Sequence, residues 1–229
     1  MEGEQTLEIQ NEIITYELTS PEIKALCGSD ERLSQLICRY GNLSYLLNTD
    51  AFSFFVETII SQMLSNKAAE TISARLHNAC EGALTVDAIL KLDVSDLRRT
   101  GLSGRKAEYI LRLAALMNDN PGYFDELGAL SDNEIIKSLT SLHGIGTWSA
   151  KMYLIFVLNR PDILPYEDGA FLQAYKWLYA TDDASPASIK QNCASWAPFS
   201  SLASRYLYKA LDEGLTKDAE LNERLAEII

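Results

Sequence analysis

Cysteine is scarce in this chain and nowhere clustered: Cys27, Cys38, Cys80 and Cys193 stand far apart in 229 residues. That spacing excludes a paired zinc site and the close cysteine run that an iron–sulfur cluster needs. The four are expected to be reduced thiols, mostly buried, and neither a cluster nor any other cofactor is expected. Long hydrophobic runs are missing as well. The longest, Met152 to Leu158, is far too short to cross a bilayer, and the opening Met1-Glu2-Gly3-Glu4 lacks the basic stretch of a secretory leader. These absences point to a cytoplasmic protein with no membrane partner.

Positive charge is also short. Twenty Lys and Arg face 32 Asp and Glu, a net charge of −12, which weighs against a nucleic-acid partner. The distribution weakens that objection. Residues 1–31 carry eight acids and one base, and residues 212–229 six acids and two bases, so the stretch between them is nearly neutral at −1. Within it, residues 97–112 hold Arg98, Arg99, Arg105, Lys106 and Arg112 against Glu108 alone. This run reads either as a basic stripe that meets phosphates or as an ordinary solvated helix face.

What the chain has is helical periodicity. Phe52, Phe55, Val56, Ile59, Ile60, Met63 and Leu64 recur at three- and four-residue spacing, and Ala68, Ala69, Ile72 and Leu76 resume the pattern after Ser65-Asn66-Lys67. Further helices are expected over Leu33–Cys38, Ala107–Met117, Asn133–Leu139, Trp148–Leu158, Ala170–Leu178, Ile189–Trp196 and Leu202–Leu211, separated by proline and glycine. Only Leu7–Leu18, with Ile13-Ile14-Thr15-Tyr16 at its centre, reads as a strand or an extended arm. With 47% hydrophobic residues the chain can bury a core as one large domain or as two lobes sharing a cleft.

Two segments carry chemistry. In Leu142-His143-Gly144-Ile145-Gly146-Thr147-Trp148 the glycines are read as supplying positive φ and close approach, and the helix that follows offers unpaired amides and a positive dipole end to a phosphate. About twenty residues on, Leu164-Pro165-Tyr166-Glu167-Asp168 places two carboxylates before another helix. Asp168 alone would suit a helix N-cap.

Together these segments resemble the helix-hairpin-helix DNA glycosylases. Phe54 to Ser65, the GLSGRKAEYI turn and helix, LHGIGTWSA, LPYEDGAF and Trp196-Ala197-Pro198-Phe199 occur in the order seen in the 3-methyladenine DNA glycosylase II family, over roughly residues 30–211. The resemblance implies an all-α fold of two helical lobes with a cleft between them. One HhH-GPD domain would span 1–229, with lobes of about 1–49 plus 161–229 and about 50–160, the latter containing the hairpin. There is no room for a sizeable extra N-terminal β domain.

It also implies roles. Asp168, the second acid of the pair, would be catalytic and Glu167 a neighbour. His143, Gly144, Ile145, Gly146 and Thr147 would form the DNA-binding hairpin, with the carbonyls of Leu142 and Ile145 as ligands for a monovalent cation. Gln62, Met63, Leu64 and Ser65 are the candidates for a wedge that fills the gap left by an extruded base, although Met63 and Leu64 at helical spacing also read as core. Trp148, Tyr208, Tyr166 and Tyr153 would wall the base pocket, with Met152 where relatives carry a second aromatic.

Bifunctional relatives place a lysine two residues after the second hairpin glycine, where its amine can attack the sugar C1′. Here that residue is Trp148, while Lys151 lies one helical turn further on. The resemblance therefore implies a monofunctional enzyme, acting as a monomer on double-stranded DNA with damaged bases. It would flip out and hydrolyse alkylated purines such as 3-methyladenine, leaving an abasic site in base excision repair. The alternatives are a glycosylase for an oxidised or deaminated base and a non-catalytic helix-hairpin-helix DNA-binding module.

Overall fold

The protein is described here from a computed structural model, over residues 12–227. In chain order it runs through strand β1 (Ile13–Tyr16), helices α1 (Pro21–Ser29) and α2 (Glu31–Tyr40) and strand β2 (Leu43–Leu46). Helices α3 (Ala51–Ser61), α4 (Asn66–Ala79), α5 (Val86–Leu90), α6 (Val94–Arg99), α7 (Gly104–Asp119), α8 (Tyr123–Gly128), α9 (Asp132–Thr140) and α10 (Thr147–Phe156) follow. Last come α11 (Gly169–Tyr179), α12 (Pro186–Asn192), α13 (Ser200–Asp212) and α14 (Ala219–Glu227). Among the described residues no helix is long and apolar enough to cross a membrane.

Among the described residues the fold is helical except for one small sheet. β1 pairs antiparallel with β2, Ile13 opposite Leu46 and Tyr16 opposite Leu43. Ile13-Ile14-Thr15-Tyr16 is thus a strand, while Leu7–Asn11 lie outside the described residues. Its partner, Leu43-Ser44-Tyr45-Leu46, is too short to show a period in sequence and follows directly on a helix.

The helices start where local chemistry allows. Asp30, Asp50, Ser65, Thr85, Asp93, Ser103, Asp168 and Ser185 each accept a backbone N–H of the first turn that would otherwise be unpaired. Among the boundaries that differ from the periodic reading are two early helix ends. The helix expected through Leu64 ends at Ser61, and that expected over Ile189–Trp196 stops at Asn192 and continues as a single tight turn at Ala194–Trp196.

The chain divides into two compact units, one of Met1–Thr49 with Asn159–Ile229, the other of Asp50–Leu158. The core of the first is built from Ile23, Leu26, Leu33, Leu36 and Ile37 of α1 and α2 against Phe171, Tyr175 and Leu178 of α11 and Tyr206 and Leu207 of α13. Asp30 holds it from within. Its Oδ1 caps α2 through the Leu33 N–H, and its Oδ2 accepts the Trp196 indole N–H at 2.8 Å and the Tyr179 hydroxyl. The late Trp196 is thereby a core residue, fully buried.

The second unit is centred on an aromatic cluster. Phe55 stacks on Phe124 with centroids 5.5 Å apart and meets Tyr153 at 5.1 Å, while Phe54 closes on Tyr153 at 6.3 Å. The cysteines are free thiols; Cys80 and Cys193 are buried, Cys27 is half-buried and Cys38 exposed.

Candidate active site

In the first unit the chain entering α11 is pinned to the start of α13. The Ser201 N–H donates to the Pro161 carbonyl and the Ile163 N–H to Ser201 Oγ, both at 3.0 Å, and Ser200 Oγ donates to Asp162 Oδ1 at 2.5 Å. The Asp168 N–H then closes a turn on the Pro165 carbonyl at 2.9 Å. Its side chain caps α11, Oδ1 accepting the Phe171 N–H at 2.7 Å. The cap expected of an ordinary aspartate is therefore present, and it fixes the carboxylate's direction. Asp168 is only 8% exposed, whereas Glu167 is exposed.

A second donor reaches Asp168 from α13. The Tyr208 hydroxyl hydrogen-bonds its carboxylate, and burial, followed by the Asp168 charge and that bond, pushes the Tyr208 pKa far above the ordinary phenol value. The phenol thus keeps its proton and donates. Three residues earlier, on the same helix face, the buried Arg205 guanidinium lies over the Tyr45 ring, 3.6 Å from its centroid. Burial holds the Arg205 pKa below its usual value and raises that of Tyr45 to about 12. Tyr166, expected as a pocket wall, packs against the core, and the Lys190 ammonium sits 4.8 Å over its ring.

The hairpin belongs to the second unit. After α9, the Leu142 N–H donates to the Leu139 carbonyl and the Ile145 N–H to the Leu142 carbonyl, at 3.0 and 3.3 Å. Gly144 has φ +87°, and a Cβ there would lie 2.3 Å from the Tyr109 ring, so both conformation and space demand glycine. Gly146 differs from expectation. Its φ is −103°, open to any residue, and a Cβ would meet nothing within 4 Å. Gly146 is the N-cap of α10, a position where Gly is tolerated without a side-chain bond. Gly146 is exposed, as are His143 and Thr147, while Ile145 is buried.

Carbonyl geometry bears on the expected cation. The Gly144 carbonyl is engaged by Gln62, and the Leu142 carbonyl accepts one N–H and keeps a second lone pair. Among the described residues no cluster of His, Cys, Asp or Glu could hold a metal ion.

α10 is buried from Ser149 to Ile155. Trp148, in its first turn, is half-buried. Tyr153 is 1% exposed and committed to the Phe54, Phe55 and Phe124 cluster, so it is core rather than pocket wall. Met152 is buried too, and Lys151 is only 7% exposed.

The structure sorts the four wedge candidates. Ser65 caps α4. Gln62 turns inward, its Nε2 donating to the Gly144 carbonyl at 2.8 Å. Leu64 is 39% exposed, and Met63, at φ +58°, is fully exposed. A left-handed non-glycine residue costs about 1–3 kcal/mol and persists only where its surroundings impose it. The basic stripe is likewise divided. Lys106 points inward to the Ile60 and Gln62 carbonyls and Arg99 pairs with Asp96 at 2.9 Å, leaving Arg98, Arg105 and Arg112 exposed on this unit. Sequence reasoning missed the inward turn of Lys106, the Tyr109 ring beneath Gly144, and Arg205. A lysine three residues into a capped helix looks the same whether it faces solvent or a neighbouring helix end.

Residues 56–199 match the family described as HhH-GPD superfamily base excision DNA repair protein. The chain belongs to the HhH-GPD superfamily. The match runs through the hairpin and Asp168. Among HhH-GPD relatives, DNA-3-methyladenine glycosylase 1 of Schizosaccharomyces pombe is 30% identical over 210 residues, 89% of this chain and 91% of that protein. A crystal structure of DNA-3-methyladenine glycosidase from Bacillus halodurans superposes with a TM-score of 0.77 at 31% identity, covering 89% of this chain and 95% of that one. The S. pombe 3-methyladenine DNA glycosylase Mag1 in complex with abasic DNA gives 0.75 at 28% identity, covering 84% and 97%.

Proposed function

We propose that this chain is a monofunctional DNA glycosylase that excises alkylated purines such as 3-methyladenine from double-stranded DNA in base excision repair. The observation that carries this reading is the Asp168 carboxylate, buried and held by the Phe171 N–H and the Tyr208 hydroxyl. Cleaving an N-glycosidic bond builds positive charge on the deoxyribose, and a fixed carboxylate near C1′ stabilises that charge without reorganising. At about 4 Å and an effective dielectric near 20, one such charge is worth about 4 kcal/mol, roughly a thousandfold in rate.

The remaining roles follow. The amides at the start of α10 receive a backbone phosphate; a monovalent ion, where bound, would be held by the Leu142 and Ile145 carbonyls and add positive charge to that contact. Met63 enters the gap left by the extruded base, which lowers the unstacking penalty of flipping. Trp148 offers a π-face that attracts a cationic alkylpurine. Trp148 carries no amine, which supports water as nucleophile and an intact abasic strand as product. DNA–3-methyladenine glycosylase activity in the S. pombe and B. halodurans relatives' names agrees with this substrate class.

One observation favours a second reading. Arg205 lies one turn from Tyr208 on α13, and its positive charge disfavours a cationic purine on that ring, which would suit a neutral deaminated or oxidised base. Base release from methylated duplex DNA, revealed as alkali-labile sites, tests the first reading. Comparison with hypoxanthine-containing and oxidised duplexes separates the two.

A further inference from the structure

The loop that carries Met63 is secured from two directions within its own unit. α3 ends at Ser61, so its last carbonyls lack helical partners. The Gln62 N–H and Ser61 Oγ close on the Thr58 carbonyl, and the Leu64 N–H on that of Ser61. The Ile60 carbonyl is taken from outside by the Lys106 ammonium of α7, at 2.8 Å, and the same ammonium binds the Gln62 carbonyl at 2.7 Å. Residue 62 is then held a second time, its side-chain amide donating to the Gly144 carbonyl at 2.8 Å. The next residue is Met63, fully exposed at φ +58°.

That sequence of contacts has a directional logic. A left-handed position at a helix C-terminus is ordinarily filled by glycine, and a methionine there would relax if its neighbours were free. Here the residue before it is fastened through both main chain and side chain. A cation on carbonyls at the negative end of α3 is also electrostatically favourable, and burial holds the Lys106 pKa below the usual lysine value. Gln62 further ties the loop to the turn whose Gly144 cannot be replaced without striking Tyr109. The exposed methionine is therefore referenced to the hairpin through one side chain.

We propose that Lys106 and Gln62 are positioning residues that hold Met63 outward as a preorganised wedge, and that the Gln62–Gly144 bond sets the wedge in register with the phosphate-binding hairpin. This rests on the glycosylase reading, because a wedge has work to do only where a base leaves the stack. Neither residue touches the reacting atoms. Their effect falls on opening a paired duplex and not on bond cleavage once the base is out.

The test compares Lys106→Met, Lys106→Arg, Gln62→Leu and Met63→Ala in single-turnover excision of one lesion in two duplexes. In the first the lesion faces its ordinary partner; in the second it faces an abasic gap that already loosens it. Lys106→Met and Met63→Ala should each lose about tenfold or more on the paired duplex and less than about threefold on the loosened one, and the double variant should be no worse than either alone. Lys106→Arg, which keeps a cationic donor, should recover most of the rate. Equal losses on the two duplexes, or additive losses in the double variant, would overturn the proposal. Met63 is fully exposed, so Met63→Ala stays interpretable even if Lys106→Met melts early. A second readout needs no catalysis: 2-aminopurine beside a tetrahydrofuran abasic analogue should brighten on binding the native protein and much less with Lys106→Met or Gln62→Leu. If the native protein releases no base from any duplex yet brightens that probe, the excision reading fails and the positioning stands; equal brightening by all variants sinks the positioning alone.

Discussion

The Tyr208 hydroxyl donates to the Asp168 carboxylate from 40 residues further along the chain, while the Phe171 amide holds the same side chain from its own helix. Asp168 is thus oriented by two donors of different origin. If its charge provides most of the transition-state stabilisation, Asp168→Asn should lose about two to four orders of magnitude in single-turnover excision while still binding lesion DNA. Glu167→Gln, at an exposed neighbour, should lose far less. A near-normal rate for Asp168→Asn would remove the residue from the chemistry.

Tyr208 was expected to stack on the base, and its contact with Asp168 gives it a second role that mutation can separate. Tyr208→Phe keeps the ring and deletes the donor. A hydrogen bond to a charged group is worth about 1.5–3 kcal/mol, so excision should fall by about ten- to a hundredfold with DNA affinity unchanged. Tyr208→Ala should lose affinity for lesion DNA as well. Should Tyr208→Phe match the native rate, stacking is the whole of its contribution.

The two hairpin glycines should respond in opposite ways. Gly144→Ala forces a Cβ into the Tyr109 ring at a positive φ, so it should lower the melting temperature and weaken DNA binding together. Gly146→Asp meets no atom and supplies a preferred N-cap residue. It should leave stability equal or higher yet weaken binding to damaged and undamaged duplex alike, through a negative charge beside the phosphate-binding amides. Unchanged affinity in a well-folded Gly146→Asp protein would place the phosphate elsewhere.

These contrasts mark how far the sequence could be read. The helices with a clean apolar stripe, the hairpin, and Asp168 ahead of α11 were legible because each leaves a local signature: a period, a glycine pair, a cap residue. Gly144 and Gly146 looked equivalent in sequence and are not, because the Tyr109 ring that separates their roles comes from another helix. Tyr153 has the same helical register as a pocket residue, and only the Phe54, Phe55 and Phe124 rings around it show that it is core. Lys106 and Arg205 were invisible for the same reason: partners distant in sequence decide whether a cation faces water or a carbonyl.

Asp30 offers a test of the first unit's core. It caps α2, accepts the Trp196 indole N–H and receives the Tyr179 hydroxyl, so Asp30→Ala removes a cap and leaves the buried Trp196 donor without its acceptor, while the Tyr179 hydroxyl keeps the Asn192 carbonyl at 3.3 Å. A loss of about 2–4 kcal/mol in denaturant unfolding is expected. A loss below about 0.5 kcal/mol, the range of an ordinary surface change, would show that the network is not holding the core.

The last prediction concerns the nucleophile. A glycosylase that uses water forms no imine, so borohydride should trap no covalent protein–DNA adduct during turnover, and strand breaks should appear only after alkali or a separate abasic-site nuclease. Trp148 stands where an amine would be needed, and its loss in Trp148→Ala should slow excision through lost stacking, by about 1–3 kcal/mol, without creating lyase activity. Lys151 lies one turn further along α10 and is the amine to test. Efficient trapping by the native protein, abolished by Lys151→Ala, would show that Lys151 attacks the sugar and that this chain cuts the strand it repairs.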